Sequence, residues 1–214
     1  MKTMLSTLAA GLLSLAACAS AAGPGPAPAA PAGTGADIAP MVVRADTNRA
    51  GYSAADVEFM QGMIGHHAQA LEMTGLVAGR AATPRLSLLA ERIQVSQQDE
   101  IKRMQQWLRV RGEQVPCVEP GHQHDDMMHV MMPGMATPAE MERLAAANGI
   151  AFDRLFLSLM IRHHQGALAM VADFFGARGA AQEPEIFQMA NDVDADQRAE
   201  IARMEALLAT LPAS

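Results

Sequence analysis

The chain repeats itself, and the repeat limits what it can fold into. Asp56-Val-Glu-Phe-Met-Gln-Gly-Met63-Ile-Gly-His66-His67 returns 97 positions later as Asp153-Arg-Leu-Phe-Leu-Ser-Leu-Met160-Ile-Arg-His163-His164. The match continues through Ala70 and Ala167, Leu71 and Leu168, and Met73 and Met170. A second block recurs at a spacing of 100: Gln97, Glu100, Ile101, Arg103, Met104 and Leu108 reappear as Gln197, Glu200, Ile201, Arg203, Met204 and Leu208, with Pro84 and Pro184 in step. The shift from 97 to 100 puts three extra residues in the second connecting loop. Two copies of one unit carry two copies of one apolar face, and each needs cover.

Local signals inside each copy are helical. Ser53 and Asp56 have the pattern of a capping box, and Gly79 is the expected stop of the first helix. Thr83-Pro84 reads as a cap with proline at the first helical position, and Gly112 ends the second helix. Thr137-Pro138-Ala-Glu140 opens a short helix that Asn148-Gly149 closes. A fourth helix is expected from about 150 to 177 and a fifth from Pro184 to about 210. Two hairpins of amphipathic helices, 53–112 and 150–211, predict an all-α, ferritin-like antiparallel four-helix bundle over 50–212, with a short extra helix in the 113–149 linker.

The histidines fall where such a bundle is buried. At about 100° per residue, Met63, His67, Met60 and Leu71 lie within one sector about 80° wide, with His66 on its flank beside Phe59 and Met73. The second copy places His164 centrally and His163 on the flank. In an antiparallel hairpin His67 is level with Gln97 and Met63 with Glu100; His164 matches Gln197, and Met160 matches Glu200. Polar groups from four helices thus share one level. Each costs on the order of 1–3 kcal/mol if buried unpaired, so the layer should be internally bonded or hold metal. Met63 to His67 and Met160 to His164 are one turn apart, within chelating reach. His66 with Met73, and His163 with Met170, are two turns apart and need help from another helix.

The segment joining the halves is the other concentration of ligands: Cys117, His122, His124, Met127, Met128, His129, Met131, Met132 and Met135, in a stretch broken by glycine and proline. Thioether and thiolate select Cu(I), and imidazole suits copper in either state. Zinc favours more cysteine and calcium more carboxylate. A flexible apolar connector is the alternative, although three histidines and five methionines there have no obvious packing role.

The leader addresses location. Lys2 precedes a short apolar run, Leu5 to Ala17, too short to span a bilayer and expected as a signal peptide over 1–17. Leu15-Ala16-Ala17-Cys18 has the form of a lipobox, so Cys18 is the expected lipidation site. Residues 18–49, rich in Ala, Gly and Pro, read as a tether. If Cys18 carries lipid, an internal disulfide cannot form, and Cys117 joins the ligand candidates. The net charge of −7 argues against nucleic acid as a partner. Of the 17 methionines, only Met1 and Met4 belong to the leader.

The doubled motif resembles the domain-of-unknown-function family numbered 305. The residues that carry the resemblance are Phe59-Met-Gln-Gly-Met-Ile-Gly-His-His, Phe156-Leu-Ser-Leu-Met-Ile-Arg-His-His-Gln-Gly-Ala167 and Met132-Pro-Gly-Met-Ala-Thr-Pro-Ala-Glu140 leading into Ala151-Phe-Asp-Arg-Leu-Phe156. It covers about residues 50–210 and implies a ferritin-like bundle, exported, with some members binding copper and aiding copper tolerance. It also implies that Met63, His66, His67, Met160, His163 and His164 are the motif positions.

Three functions stay open on the sequence. The first is a lipid-anchored protein on the periplasmic side of the envelope that binds Cu(I) for buffering, tolerance or transfer to a copper-handling partner. The second is a ferritin-like metal-dependent oxidoreductase. Each half, however, offers one inward Glu where di-iron bundles offer a Glu and a Glu-x-x-His pair. The third is a structural helical module. No nucleophile triad, phosphate loop or dinucleotide fingerprint points to an enzyme.

Overall fold

The computed structural model describes residues 51–117 and 131–212. The leader, Cys18, the tether and the ligand candidates His122, His124, Met127, Met128 and His129 lie outside the described residues. The described helices are α1 (Ala54–Gly75), α2 (Pro84–Val110), α3 (Pro138–Ala146), α4 (Gly149–Gly176) and α5 (Pro184–Leu208). No strand accompanies them among the described residues. None of these helices is long and apolar enough to cross a membrane.

The helix ends follow the sequence closely, except that Asn148-Gly149, expected to close α3, begins α4 after α3 ends at Ala146, and with two further departures. Ser53 accepts from the Asp56 amide while the Asp56 carboxylate accepts from the Ser53 amide at 2.6 Å, which completes the capping box. The C-terminus of α2 closes with a Schellman motif: Glu113 N–H donates to Leu108 O at 3.0 Å and Gly112 N–H to Arg109 O at 3.1 Å. Gly112 supplies the left-handed φ of +70° that this closure requires. The first departure is that α1 stops at Gly75, so Gly79, at φ +77°, serves the following turn instead of ending the helix. The second is that Thr83 precedes α2 without using its side chain as a cap.

The turn that leads into α2 is held by a residue of the other hairpin. Asp153, fully buried, accepts from the amides of Ala82 and Thr83 at 3.1 and 2.9 Å. Asp56, its repeat equivalent, accepts from the Ala181 amide at 2.8 Å in the opposite turn. The start of each hairpin therefore ties down the turn of the other. These bonds orient α1 antiparallel to α4, and the two hairpins form the four-helix bundle through α1–α4 and α2–α5 packing.

The apolar interior falls into two clusters. One gathers Phe59, Met60, Met63, Ile101, Met104, Trp107, Val171 and Phe174. The other gathers Met73, Leu86, Ile93, Phe152, Phe156, Met160, Met204 and Leu207. Fully burying one such side chain contributes about 1.5–3 kcal/mol. The duplicated histidines fall between the clusters in sequence on both α1 and α4.

Candidate metal centre

His66, His67, His163 and His164 are all fully buried, as is Gln97, with Gln197, Glu100 and Glu200 at 5% exposure or less. His67 Nε2–H donates to Glu100 at 2.5 Å and His164 Nε2–H to Glu200 at 2.7 Å. The expected level of the layer holds, but the bonded partner is Glu100 and not the level residue Gln97. Helical side chains lean toward their own N-terminus, so His67 reaches the depth of Met63, where Glu100 stands. His66 Nε2–H donates to the Pro133 carbonyl at 2.9 Å. Carbonyls and carboxylates only accept, so these three partners fix the proton on Nε2.

The consequence is a set of imidazoles that each present Nδ1 without a hydrogen-bond partner. His163 lacks a partner on both ring nitrogens; its approach to the His66 backbone falls short of hydrogen-bond geometry. Among the described residues, every buried side-chain nitrogen or oxygen without a partner belongs to this layer: the four histidines, Gln97, Glu100 and Gln197. Native interiors satisfy the large majority of such atoms, so their concentration at one level needs a reason. A histidine that donates one N–H to a carboxylate or carbonyl and leaves the other nitrogen bare has the arrangement of a metal-ligating imidazole.

The flanking histidines are where the hairpins meet. The rings of His66 and His163 stand 3.8 Å apart between centroids, tilted by 36°. Burial pushes the His66 pKa down to about 3, and the neighbouring His67 and His164 push the same way against the Pro133 bond. Burial likewise holds His163 well below the ordinary histidine range. Both rings are therefore neutral at pH 7, the form that can ligate.

A strap from the linker, 132–136, lies across this junction. A Cβ on Gly166 would sit 1.8 Å from Pro133 O, and one on Gly134 2.3 Å from Arg162 O, so only glycine permits the approach on either side. Gln69, at the position in α1 equivalent to Gly166, clasps the strap: its Nε2 donates to Ala136 O at 2.9 Å and its Oε1 accepts from Ala136 N at 2.7 Å. Arg162 donates to Glu140 at 2.7 and 2.5 Å and holds that carboxyl down at about 2. The strap brings Met132 in: its Sδ and Met170 Cε lie 3.7 and 3.5 Å from where a Gly62 Cβ would be, one turn from His66.

Met63 and Met160 are fully buried one turn before His67 and His164, and Met73 is fully buried in the second cluster. Met170 is partly buried against the first cluster, Met135 is half-buried, Met131 is 52% exposed and Cys117 is exposed. No three His, Cys, Asp or Glu side chains among the described residues converge in ligating geometry. Sequence reasoning missed Gln69, Arg162, Gly134 and Gly166. Glycines within a helical pattern (Gly62, Gly166) were the one available signal, because an isolated helical glycine usually marks a close approach.

The family model described as Domain of unknown function (DUF305) matches residues 56–208. No curated protein matches the chain. Among solved structures, a DUF305 fragment from Deinococcus radiodurans is 36% identical, covering 75% of this chain and 99% of that one, with a TM-score of 0.64. CopM in its Cu(II)-bound form is 31% identical over 72% of this chain and 95% of that one, TM-score 0.55. CopM in its Cu(I)-bound form is 28% identical over 71% and 94%, TM-score 0.54. With both hairpins and the strap inside the matched span, the chain belongs to the DUF305 family.

Proposed function

We propose that this protein binds copper on the periplasmic side of a bacterial envelope, anchored by lipid on Cys18, and holds it as Cu(I) through imidazole and thioether for buffering, tolerance or transfer to a partner. The observation that carries the reading is the buried layer of four imidazoles with partnerless Nδ1 atoms. The ligands in this reading are His66, His67, His163 and His164 with Met63, Met160, Met132 and Met170 beside them. Glu100, Glu200 and the Pro133 carbonyl orient the rings from behind. CopM, of similar fold and sequence, has been solved with copper in both oxidation states, which supports the metal. Thioether neither titrates nor forms disulfides, so it suits Cu(I) outside the cytoplasm.

The test is metal analysis of residues 43–214, purified without a histidine tag, followed by anaerobic competition with a Cu(I) chelator. The expected result is copper taken in preference to Zn(II) and Fe(II); failure to take copper from a weak chelator rejects the reading. For the anchor, Cys18→Ser should accumulate as unprocessed precursor, and normal release of a soluble product would overturn it.

A further inference from the structure

A groove on the face shared by α2 and α5 is independent of the histidine layer. It is lined by Leu88, Leu89 and Leu207 together with Arg85, Arg92 and Arg203. Leu88 is 60% exposed, and Val95, two turns along α2, is 55% exposed. None of the three arginines makes a hydrogen bond or ion pair with a described residue; Arg203 feels Asp196 only at longer range. Glu91, next to Arg92 in sequence, lines the opposite groove between α1 and α2, Glu200 is buried on His164, and Glu205, two residues from Arg203, is not among the residues that line this groove.

The repeat supplies an internal control. One hundred positions on, Arg85, Leu88 and Arg92 become Glu185, Gln188 and Asp192, while Arg203 corresponds to Arg103. On that face the charges of the two hairpins close on one another. Arg103 meets Asp192 at 3.1 Å, Gln188 donates to Asp192 at 2.6 Å, and Arg111 meets Glu185 at 3.2 Å. On the α2–α5 groove three like charges, Arg85 and Arg92 from the first hairpin and Arg203 from the second, stand around an apolar strip instead, in a chain of net charge −7. Like charges held together repel, and an anionic counter-surface relieves that repulsion.

We propose that this face docks on an anionic phospholipid surface, with Arg85, Arg92 and Arg203 meeting headgroup phosphates and Leu88 and Val95 entering the interfacial region. Guanidinium forks match phosphate oxygens, and basic residues flanking exposed apolar ones are the pattern of surfaces that lie on bilayers. The length of chain agrees. The groove lies at the α2 N-terminus and the α5 C-terminus, the end of the bundle away from Gly51. α2, with 27 residues at about 1.5 Å each, is about 40 Å long. The chain from Cys18 to Gly51 can span up to about 110 Å at about 3.3 Å per residue. An anchor at Cys18 therefore lets this end reach the same membrane, and tethering raises the effective concentration enough for a weak contact to matter.

The test uses residues 43–214, which carry both apolar clusters in one compact unit and lack the anchor. Flotation at low salt with phosphatidylcholine vesicles, with and without phosphatidylglycerol, should show partition only with the anionic lipid. Each of Arg85→Gln, Arg92→Gln and Arg203→Gln should weaken it about fivefold, since one arginine near such a surface is worth about 1 kcal/mol. Leu88→Ser should weaken it too, with melting unchanged. The proposal is overturned by equal partition into phosphatidylcholine alone, by no partition into anionic vesicles, or by a triple arginine variant that partitions like the parent. Saturable binding of inorganic phosphate without vesicle partition would also overturn it, because the groove would then serve a free anion.

Discussion

The two hairpins agree inside and disagree outside. Inside, His67–Glu100 and His164–Glu200 are the same pair made twice, and Asp56 and Asp153 perform the same cross-tie on opposite turns. Outside, the face where Glu185, Gln188 and Asp192 of the second hairpin meet Arg103 of the first pairs its charges, while the face that mirrors it leaves Arg85 and Arg92 of the first and Arg203 of the second beside an exposed leucine. The strap adds a third difference. Its carbonyl satisfies His66 but not His163, and it is clasped by Gln69 on one helix and admitted by Gly166 on the other. What the copies share is what a buried polar layer demands of both. They differ wherever something touches one copy alone, whether a strap or an outside surface.

The largest effect should come from breaking the shared feature. The sequence alone suggests that His67→Leu with His164→Leu leaves a stable bundle, because Glu100 and Glu200 sit at the stripe's edge with solvent in reach. The structure corrects this: both glutamates are 5% exposed and bonded to the histidines. Leaving a buried carboxylate without its hydrogen-bond donor costs about 1–3 kcal/mol or more at each site, so the double variant should unfold or melt far below the parent. His66→Leu with His163→Leu should instead stay folded and lose copper, since only the Pro133 carbonyl loses a donor. Urea unfolding of the two doubles, with copper content measured on whichever folds, separates the pairs. Equal stability would mean that the carboxylates have other partners.

Next comes the strap. Gly166→Ala drives a methyl into Pro133 O and should cost about 3 kcal/mol or detach the strap. Gln69→Ala removes two hydrogen bonds to Ala136 and should cost about 1–3 kcal/mol. An unfolding midpoint for Gly166→Ala equal to that of the parent would show that the strap is not seated on α4.

Acid should separate the flanking histidines from ordinary ones. With the folded pKa lowered to about 3 for His66 and lowered for His163, the unfolded chain binds more protons than the folded one below the ordinary histidine value. Their contribution is fully present above about pH 6.5 and is lost as pH falls toward the folded values, by up to about 1.4 kcal/mol per pH unit per group. Thermal melting should therefore fall steadily from pH 7 to pH 4, and less steeply in the His66→Leu, His163→Leu variant. Identical slopes would remove these two groups as the cause. Copper held by this pair should survive below pH 6, where an exposed histidine site would release it.

Much of this was legible in the chain. The 97- and 100-residue spacings placed four helices, and helical geometry put His67, Gln97, His164 and Gln197 at one depth. Depth along the helix axes takes no account of the lean of side chains toward the helix N-terminus, and that lean is why Glu100 is the bonded partner. The strap was not legible. Its seating depends on a contact between Pro133 and Gly166 that no periodicity encodes, and His66 meets His163 because of how α1 and α4 pack. The arginine groove was hidden for a related reason: an exposed charge looks the same in sequence whether or not a partner stands opposite.

That last difference admits a direct test with the smallest expected effect. Asp192→Arg gives the second hairpin the residue its twin has at Arg92. It removes the bridge to Arg103, whose side chains are 49% and 35% exposed, and the hydrogen bond from Gln188. Exposed pairs are worth about 0.2–1 kcal/mol, so the loss in stability should be within about 1 kcal/mol, and it should shrink further in salt as the new repulsion with Arg103 is screened. The surface should change more than the fold. An arginine facing Arg103 makes a second cationic spot, yet Gln188 and Glu185 stand where Leu88 and Arg85 stand in the first copy. Partition into phosphatidylglycerol vesicles should therefore rise only slightly, and less than it falls when Arg92 is removed. A gain as large as that loss would mean that net charge alone governs the contact, and the apolar strip of the first groove would have no part in it.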